Sequence, residues 1–364
     1  MSWPERVWYG DSIGAVLARA VLAPPSWLYC ASAVLRDRLY DAGVLPSVDP
    51  VLPALAVGNL SVGGTGKTPV AAWATRRLLS HGARPAIVLR GYGADEPLVH
   101  QRLNPDALVI VGADRVRAVQ LARAQGADCV VLDDAYQHRR IRRRENWLLV
   151  AAERWEPVQR CLPAGPLREP ATGMARATLI VVTRKSAAHE TAQRIAKQLA
   201  SATAGTPLAI VHLVPNAIVN VRDGTTQSVH ALRRARVMAV AAVGAPDAFF
   251  AQLRSAGAIV VHEAAFRDHR AYDAGDVAEL VRRGREYDMV VCTLKDAVKL
   301  APLWPREGPG LWYVSQGVEV EYGETALDTS LNTILAARAS VPPTAGPAGP
   351  DSHDHGYRSS TADQ

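Results

Sequence analysis

The chain has 364 residues, of which 48% are hydrophobic and 6% aromatic, and a formal net charge of +6. This length suffices for one large or two medium domains, and the composition is that of a soluble globular protein. Arginines cluster between residues 139 and 144, but no aromatic stacking surface or base-reading motif accompanies them, which argues against a nucleic-acid partner. The cluster fits either a solvated face or contact with an anionic surface. The four cysteines have no metal-ligand spacing and are expected to be reduced, cytosolic thiols.

An apolar stretch, residues 20–35, lies near the N-terminus and does not have the form of a cleavable signal peptide. Pro24 and Pro25 interrupt it, so we expect it to fall short of the ~20 residues that a membrane-spanning helix needs. Aromatic residues and arginines surround it, which favours a helix lying at the level of lipid headgroups. The alternative is a hydrophobic helix packed on the protein's own core. The surrounding residues are Trp3, Trp8, Tyr9, Trp27, Tyr29, Arg19, Arg36 and Arg38.

Short apolar runs alternate with helical patterns from residue 51 to residue 182. Runs of Val, Ile and Leu without polar alternation are typical of strands that are buried on both faces. We therefore predict an α/β protein with a doubly wound parallel sheet in this region. The runs are residues 54–57, 86–89, 108–111, 129–132, 147–150 and 179–182.

The second half continues the alternation. Residues 208–214 and 217–221 are expected to be connecting strands, and further apolar runs begin at residues 237, 259, 289 and 311. After residue 337 the composition changes to Pro, Gly and Ala and then to Ser, His and Asp, which is typical of disorder. The predicted organisation is an N-terminal interfacial segment (1–40), a first α/β domain (41–215), a smaller second α/β domain (216–338) and a disordered tail (339–364).

A glycine-rich loop follows the first apolar run of the sheet and leads into a helical pattern. Strand, loop and helix in this order are the context of a phosphate-binding loop, in which backbone N–H groups and the helix N-terminus face phosphate oxygens. Lys67 would reach the β- and γ-phosphates of a nucleotide, and Thr68 would coordinate Mg²⁺. A glycine-rich turn before an ordinary helix is the alternative. The loop reads Ser61-Val62-Gly63-Gly64-Thr65-Gly66-Lys67-Thr68, with serine where the strict pattern has glycine.

Two acidic residues, Asp133 and Asp134, end the run at residues 129–132. P-loop enzymes place the carboxylate partner of Mg²⁺ at this end of a strand. One of the two acids would hold the metal directly or through water, and the other would orient loop groups or substrate. Paired acids that cap the next helix are the alternative. Gln137 and His138 follow within one turn and could reach the same cleft, although a structural histidine fits the spacing equally well.

Acidic residues also follow the run at residues 86–89, after the sequence Arg90-Gly91-Tyr92-Gly93. This segment leaves the sheet at the edge where α/β proteins bind ligands. Asp95 is therefore a candidate base for a substrate hydroxyl, and Glu96 is a candidate metal or hydrogen-bond ligand. Without that context both would be ordinary acids in a polar turn.

The segment LPAGPLREP, residues 162–170, is too rich in proline for a helix or a central strand. A rigid loop that presents the guanidinium group of Arg168 suits phosphate recognition, and Glu169 follows it directly. A structural turn with a surface ion pair is the alternative. In the second half, Asp268-His269 with Tyr272, and the segment at residues 293–296, are uninformative by themselves.

Taken in order, these motifs resemble the tetraacyldisaccharide 4'-kinase family, the lipid A 4'-kinases. The resemblance extends from about residue 58 to residue 300, and LPAGPLREP together with GGTGKTP is its most specific part. The motifs are Gly58-Asn59 with GGTGKTP, RGYG, DEP, DD-x-x-QH, LPAGPLREP, F-x-DH and KDAVKL.

The resemblance implies a P-loop-type kinase with two α/β domains around a cleft. Such an enzyme uses ATP and Mg²⁺ to phosphorylate the 4'-hydroxyl of an acylated glucosamine disaccharide, a lipid A precursor, at the cytoplasmic face of the inner membrane. The implied partners are this lipid substrate and the lipid surface of the inner membrane. No nucleic acid and no protein partner is implied.

The resemblance also implies roles for individual residues. Asp95 is the catalytic base with His269 as its partner across the cleft, and Lys67 is the third catalytic group. Residues 61–68 bind the nucleotide. By the resemblance, Thr68, Asp133 and Asp134 are the candidate metal ligands, and Arg168 and Glu169 line the active site. With the residues chosen by their position at strand ends, the candidate substrate contacts are Arg90, Glu96, Gln137, His138, Arg168 and Glu169.

The chain departs from the family pattern at a few positions. Ala94 alone separates RGYG from DEP, where the family has a longer segment, and Leu294 stands in place of a glutamate. Arg270 replaces a second histidine after His269, and Ala135-Tyr136 replace a glycine and an aromatic residue. The shortened spacer keeps open a degenerate kinase fold that serves as a binding protein. A membrane-associated nucleotide switch, which would also explain the phosphate loop and the two acids, is the other alternative.

Overall fold

The computed structural model describes residues 3–91, 93, 95–156, 160–203, 205–244, 246–268 and 270–339. The helices in these ranges are α1 (Trp3–Tyr9), α2 (Ile13–Asp41), α3 (Lys67–Ser80), α4 (Asp95–Leu103), α5 (Arg115–Ala124), α6 (His189–Ala202), α7 (Pro246–Ser255), α8 (Ala274–Gly284), α9 (Leu294–Leu300) and α10 (Glu324–Arg338). The strands are β1 (Ala54–Gly58), β2 (Pro85–Leu89), β3 (Leu108–Val111), β4 (Cys129–Asp133), β5 (Glu145–Ala151), β6 (Leu179–Arg184), β7 (Leu208–Asn220), β8 (Thr226–Ser228), β9 (Arg236–Ala241), β10 (Ile259–Ala265), β11 (Met289–Cys292) and β12 (Leu311–Tyr322).

The strands form one sheet in the order β10-β9-β11-β12-β7-β6-β5-β1-β4-β2-β3, with β8 beside β7. All neighbours along this path are parallel except β7 and β12, which are antiparallel. Strands β1, β2, β4 and β5 are buried at every residue, which explains their continuous apolar sequences. The predicted α/β fold with a doubly wound parallel sheet is thus confirmed.

Two long strands connect the halves of the sheet. β7 pairs with β6 of the first half, and β12 pairs with β11 of the second, while the two strands pair with each other from Ile210 to Asn220. The prediction of two separate strands at 208–214 and 217–221 was wrong, because the chain passes Pro215 without leaving the sheet. Pro215 lies at a shift in register, where a missing N–H is tolerated. The domain boundary at residue 215 falls inside β7, and the division into two domains stays a prediction.

The N-terminal helix differs from the prediction in length. α2 runs through both Pro24 and Pro25 for 29 residues, so the expected interruption was wrong. Both prolines face solvent, and each removes one backbone hydrogen bond without ending the helix. Among the described helices, α2 is the one that is long and apolar enough to cross a membrane by length and composition.

Most of the apolar side chains of α2 are exposed, which argues against the alternative of a helix packed on the protein's own core. The exposed side chains include Ile13, Leu17, Val21, Trp27, Leu28 and Leu35, whereas the buried residues of α2 are Ala15, Ser26 and Ala33. The N-terminal segment of 1–40 thus contains a helix whose apolar surface is exposed in the part of the chain that the structure describes. The predicted tail at 339–364 lies outside the described residues except for residue 339.

Candidate active site

The glycine-rich loop joins β1 to the N-terminus of α3, as its sequence predicts. Gly66 is the N-cap of α3 and has a φ of 80°, and a Cβ atom there would lie 2.4 Å from Cδ1 of Leu213 in β7. Gly63 has a φ of 109°, which also favours glycine. The neighbouring segment fixes the loop, because the N–H of Val62 donates to the carbonyl of Pro166 at 2.8 Å. The helix N-terminus is therefore open to an anion at a point where the backbone is tightly held.

Lys67 is already oriented by acceptors at the ends of two strands. Its Nζ donates to Oδ1 of Asn59 at 3.2 Å and lies 3.7 Å from Oδ1 of Asp134. Burial lowers the pKa of Lys67 below its usual value, although the charge of Asp134 opposes this shift. The ammonium group is thus held at the mouth of the loop, where nucleotide phosphates would bind in a P-loop protein.

Asp134 faces cations rather than open solvent. The guanidinium group of Arg168 donates to both of its carboxylate oxygens, at 3.1 and 3.2 Å, and also to Oδ1 of Asn59 at 2.6 Å. Burial raises the pKa of Asp134, but Lys67 and Arg168 outweigh this effect and hold the pKa below its usual value. Asp134 thus pairs with Arg168 and lies close to Lys67, so it orients two cations of the site.

Asp133 has a different environment. Its Oδ1 accepts from the backbone N–H of Asp134 at 2.8 Å, and its Oδ2 lies 2.9 Å from Nε2 of His100. His100 is fully buried on α4 and was not among the sequence candidates. The two adjacent acids at the end of β4 are thus held by different partners.

Asp95 is the first residue of α4 and is buried against the second half of the chain. Nζ of Lys299 on α9 lies 3.6 Å from its Oδ2, and that oxygen accepts no hydrogen bond from any described residue. Burial raises the pKa of the neighbouring Glu96, and the charge of Asp133 adds to the shift. Glu96 therefore lies close to Asp133 at the end of β4, and the roles of Asp95 and Glu96 stay predictions. His269, the predicted partner of Asp95, lies outside the described residues.

Gln137 and Glu169 support the site through hydrogen bonds to each other and to neighbouring groups. Nε2 of Gln137 donates to the carbonyl of Asn59 at 2.7 Å and to Oε1 of Glu169 at 2.9 Å. Glu169 is fully buried and also accepts from Arg176 at 2.6 Å, while Arg36 of α2 lies 3.9 Å away. Because its oxygens face protein donors, Glu169 supports the loop that presents Arg168. This geometry assigns Glu169 to the support of the site rather than to its surface.

The other candidates lie on the same edge of the sheet. His138 is half-buried in a cationic environment: burial and the charges of Arg115, Arg143 and Arg90 lower its pKa to about 4. Arg90 is exposed at the end of β2. The structure thus places the candidates of the first half around the ends of β1, β2 and β4.

The basic cluster at residues 139–144 is largely paired within the chain. Four of its arginines donate to acids or carbonyl groups of the described residues, which favours a structural role over contact with an anionic surface. The contacts are Arg139 with Asp41 at 2.5 Å, Arg140 with Asp114 at 3.3 Å, Arg142 with Asp49 at 3.2 Å, and Arg143 with the carbonyl groups of Tyr136 and His138 at 2.6 and 2.7 Å.

The residues present fit a magnesium ion bound together with a nucleotide. The described ranges contain no cluster of three or more His, Cys, Asp or Glu side chains that would hold a metal by itself. Mg²⁺ in nucleotide sites instead takes one or two protein oxygens and completes its shell with water and phosphate. Thr68 at the start of α3 and Asp133 at the end of β4 supply hard oxygen donors of this kind.

Sequence reasoning missed several contributors to this arrangement. Asn59 accepts from both Lys67 and Arg168, Lys299 reaches Asp95, and His100 reaches Asp133. Two cysteines that are 131 positions apart, Cys30 on α2 and Cys161, have their Sγ atoms 2.7 Å apart as free thiols. Apart from the contact between Asn59 and Lys67, which are eight positions apart, these contacts join distant segments, so single-sequence spacing carries no signal for them.

The fold and the site define a phosphoryl-transfer protein of the P-loop class. The sequence model of the family described as Tetraacyldisaccharide-1-P 4'-kinase matches residues 18–95 and 94–336. The chain belongs to this family, and the resemblance stated from its motifs is confirmed. Membership in a kinase family favours the enzyme over the nucleotide switch and the binding protein.

Relatives and a solved structure agree. The tetraacyldisaccharide 4'-kinase of Anaeromyxobacter sp. (strain Fw109-5) is 35% identical in an alignment 368 residues long, which covers 92% of this chain and 97% of the relative. That of Geobacter sulfurreducens is 36% identical over 318 residues, which cover 80% and 88%. The crystal structure of LpxK from Aquifex aeolicus in complex with ATP has a TM-score of 0.70 and 25% identity, over 87% of this chain and 99% of that one.

The lowered pKa of His138 predicts a pH dependence of stability. The unfolded chain takes up a proton on this histidine near pH 6.5, whereas the folded chain takes it up only near pH 4. Between these values the unfolded state binds more protons, so the free energy of unfolding falls as the pH decreases. His138→Gln removes this contribution, which solvent screening limits to on the order of 1 kcal/mol. Urea unfolding at pH 6.5 and pH 4.5 should show a smaller loss in the variant than in the wild type, and equal losses would contradict the prediction. Other acids titrate in the wild type and in the variant alike, so their contribution cancels in the comparison. The negative charge of Asp114 raises the pKa of His138 and so opposes the lowering described above.

Proposed function

We propose that this chain transfers the γ-phosphate of ATP to the 4'-hydroxyl of an acylated glucosamine disaccharide 1-phosphate, a step in lipid A biosynthesis. The observation that carries the proposal is the convergence of the phosphate loop, Lys67, Asp133 and Asp95 at one sheet edge in a chain of this kinase family. Positioning and charge neutralisation provide most of the catalysis in phosphoryl transfer, and these residues supply both.

Each group has a distinct part in the reaction. The N-terminus of α3 and the loop at 61–68 bind the phosphates, and Lys67 turns from Asn59 and Asp134 toward the β- and γ-phosphates. Arg168, held by Asp134, adds a second cation at the same place. Thr68 and Asp133 would hold Mg²⁺, which when bound neutralises charge on the phosphate oxygens. Asp134 orients the two cations.

Asp95 accepts the proton of the attacking hydroxyl. It is buried at the cleft between the halves of the chain, and its Oδ2 accepts no hydrogen bond from the described residues. An acceptor without a donor is available to a substrate hydroxyl. His269 acts as its partner by family resemblance. Arg90, Glu96 and His138 lie along the same edge and contact the sugar, with Gln137 and Glu169 supporting the loop behind it.

The enzyme works on the surface of the bilayer, at the cytoplasmic face of the inner membrane. α2 exposes Val21, Trp27 and Leu28 while its other side contacts the loop at 160–170. Ser26 donates to the carbonyl of Cys161 at 2.7 Å, and Tyr29 donates to that of Arg168 at 3.0 Å. A substrate with acyl chains stays in the bilayer, so a helix lying in the interface brings the site to it. The predicted kinase domain, residues 41–215, follows this segment in the chain.

The function is tested by transfer of labelled γ-phosphate from ATP to a purified acylated disaccharide 1-phosphate. The wild type should produce the bisphosphate, and Lys67→Ala should abolish transfer because it removes the charge on the phosphates. Lys197→Ala, at an exposed lysine of α6, is the matched control and should retain activity. A Lys67 variant with near wild-type turnover would exclude the phosphate-loop assignment.

The base assignment is tested by Asp95→Asn, which keeps the shape of the side chain and removes most of its basicity. Turnover should fall by roughly 10²–10⁴, the usual contribution of a positioned base, with a smaller effect on ATP binding. Asp106→Asn, at an exposed residue just after α4, is the control. Unchanged turnover would move the base role to Asp133 or Asp134.

Membrane contact is tested by substitution rather than by truncation, because residues of α2 also support the loop of Arg168. Val21, Trp27 and Leu28 are changed together to serine, which leaves the contacts of Ser26 and Tyr29 intact. Flotation with anionic phospholipid vesicles should decrease, and the apparent KM for bilayer substrate should rise while ATP binding is retained. Val261→Ser with Leu303→Ser, at exposed apolar residues elsewhere, is the control. Equal flotation of all three proteins would show that another surface is the anchor.

A further inference from the structure

His100 joins two chemical groups of the site that come from different segments. It lies on α4, five positions after Asp95, and its Nε2 is 2.9 Å from Oδ2 of Asp133 at the end of β4. Its side chain is fully buried, so no water competes for this contact. The candidate base and the candidate metal ligand are therefore linked through one helix and one hydrogen bond.

The direction of this hydrogen bond follows from its partners. An ionised carboxylate only accepts, so Nε2 carries the hydrogen and donates it to Asp133. The other oxygen of Asp133 accepts from the N–H of Asp134 at 2.8 Å. Each oxygen of Asp133 thus has one donor from the protein, which fixes the plane of the carboxylate and leaves lone pairs for a cation. Metal-ligating side chains are commonly oriented by a second group in this way.

The second ring nitrogen of His100, Nδ1, shows that a histidine at this position has an energetic cost. Nδ1 of His100 is buried and has no hydrogen-bond partner among the described residues. An apolar side chain of similar size would fill this position without leaving a polar atom unpaired. Packing alone therefore does not favour histidine here, and what it adds is the bond to Asp133.

The rest of α4 is tied to the second half of the chain. Asp95 at its start lies 3.6 Å from Nζ of Lys299, and Arg102 near its end donates to the carbonyl of Val221 at 2.7 Å. Between these two ties, His100 contacts Asp133 of β4. Its hydrogen bond therefore contributes to the position of α4, which carries Asp95, relative to Asp133.

We propose that His100 is a positioning residue, which orients Asp133 toward the divalent cation of the nucleotide complex and fixes the position of α4. The inference rests on the proposed function for its kinetic consequence. Its effect on metal binding can be measured independently, through nucleotide binding in the presence and absence of Mg²⁺.

The test compares His100→Leu, which fills the space without a donor, with His100→Gln, whose amide can donate from a position close to that of Nε2. Binding of a fluorescent ATP analogue is titrated with Mg²⁺ and repeated in EDTA. His100→Leu should need roughly 10–100-fold more Mg²⁺ for the half-maximal effect, the usual cost of losing a group that orients a metal ligand. Its binding in EDTA should match the wild type, and His100→Gln should restore most of the Mg²⁺ response.

Gln101→Leu, at the next, exposed residue of α4, is the matched control and should behave as the wild type. If His100→Leu fails to fold, His100→Asn replaces it as the variant without a donor, because the shorter amide of asparagine does not reach Asp133. The Mg²⁺ responses of His100→Asn and His100→Gln are then compared. A Mg²⁺ response that is the same in the wild type and in the variant without a donor would overturn the inference. If the wild type does not transfer the γ-phosphate, the proposed function is refuted, whatever the Mg²⁺ titrations show.

Discussion

Charge compensation around Asn59 is the interaction on which the site depends. Two cations, Lys67 and Arg168, share its Oδ1 as acceptor, at 3.2 and 2.6 Å, and Asp134 lies against both. Without the amide and the carboxylate, two half-buried positive charges would repel each other at short range. Their pairing brings together the ends of β1 and β4, the start of α3 and the loop at 162–170. The phosphates of a nucleotide then enter a site in which both cations already lie close to the phosphate loop.

The same loop connects this cluster to the surface of the protein. Arg168 presents its side chain to Asp134 and its carbonyl to Tyr29 of α2, and the adjacent Glu169 is buried near Arg36 of the same helix. α2 thus has an exposed apolar surface on one side and contacts the segment that carries Arg168 on the other. A helix that rests on a bilayer in this way would hold the site at a fixed height above the acyl chains. This is the physical reason to treat membrane contact and catalysis as parts of one arrangement.

The sequence predicts the parts of the molecule that depend on local pattern. Continuous apolar runs located the strands of the first half, and the glycines of residues 61–68 located the phosphate loop, because each follows from burial or from backbone conformation. The length of α2 was missed, since Pro24 and Pro25 usually end a helix but here face solvent. The contacts of His100 and Lys299 were missed for a different reason. They form between segments that are far apart in the chain, and only the packing of α4 against β4 and α9 brings them together.

The two halves of the sheet are connected through main-chain hydrogen bonds and also through side chains of α4. β7 and β12 are shared by both parts of the sheet, so the second half is attached to the first through a ribbon of main-chain hydrogen bonds. α4 adds a second attachment through side chains, with Asp95 near Lys299 and Arg102 on the carbonyl of Val221. The candidate base Asp95 therefore lies on a helix that contacts both halves of the chain, so its position depends on long-range packing rather than on local sequence.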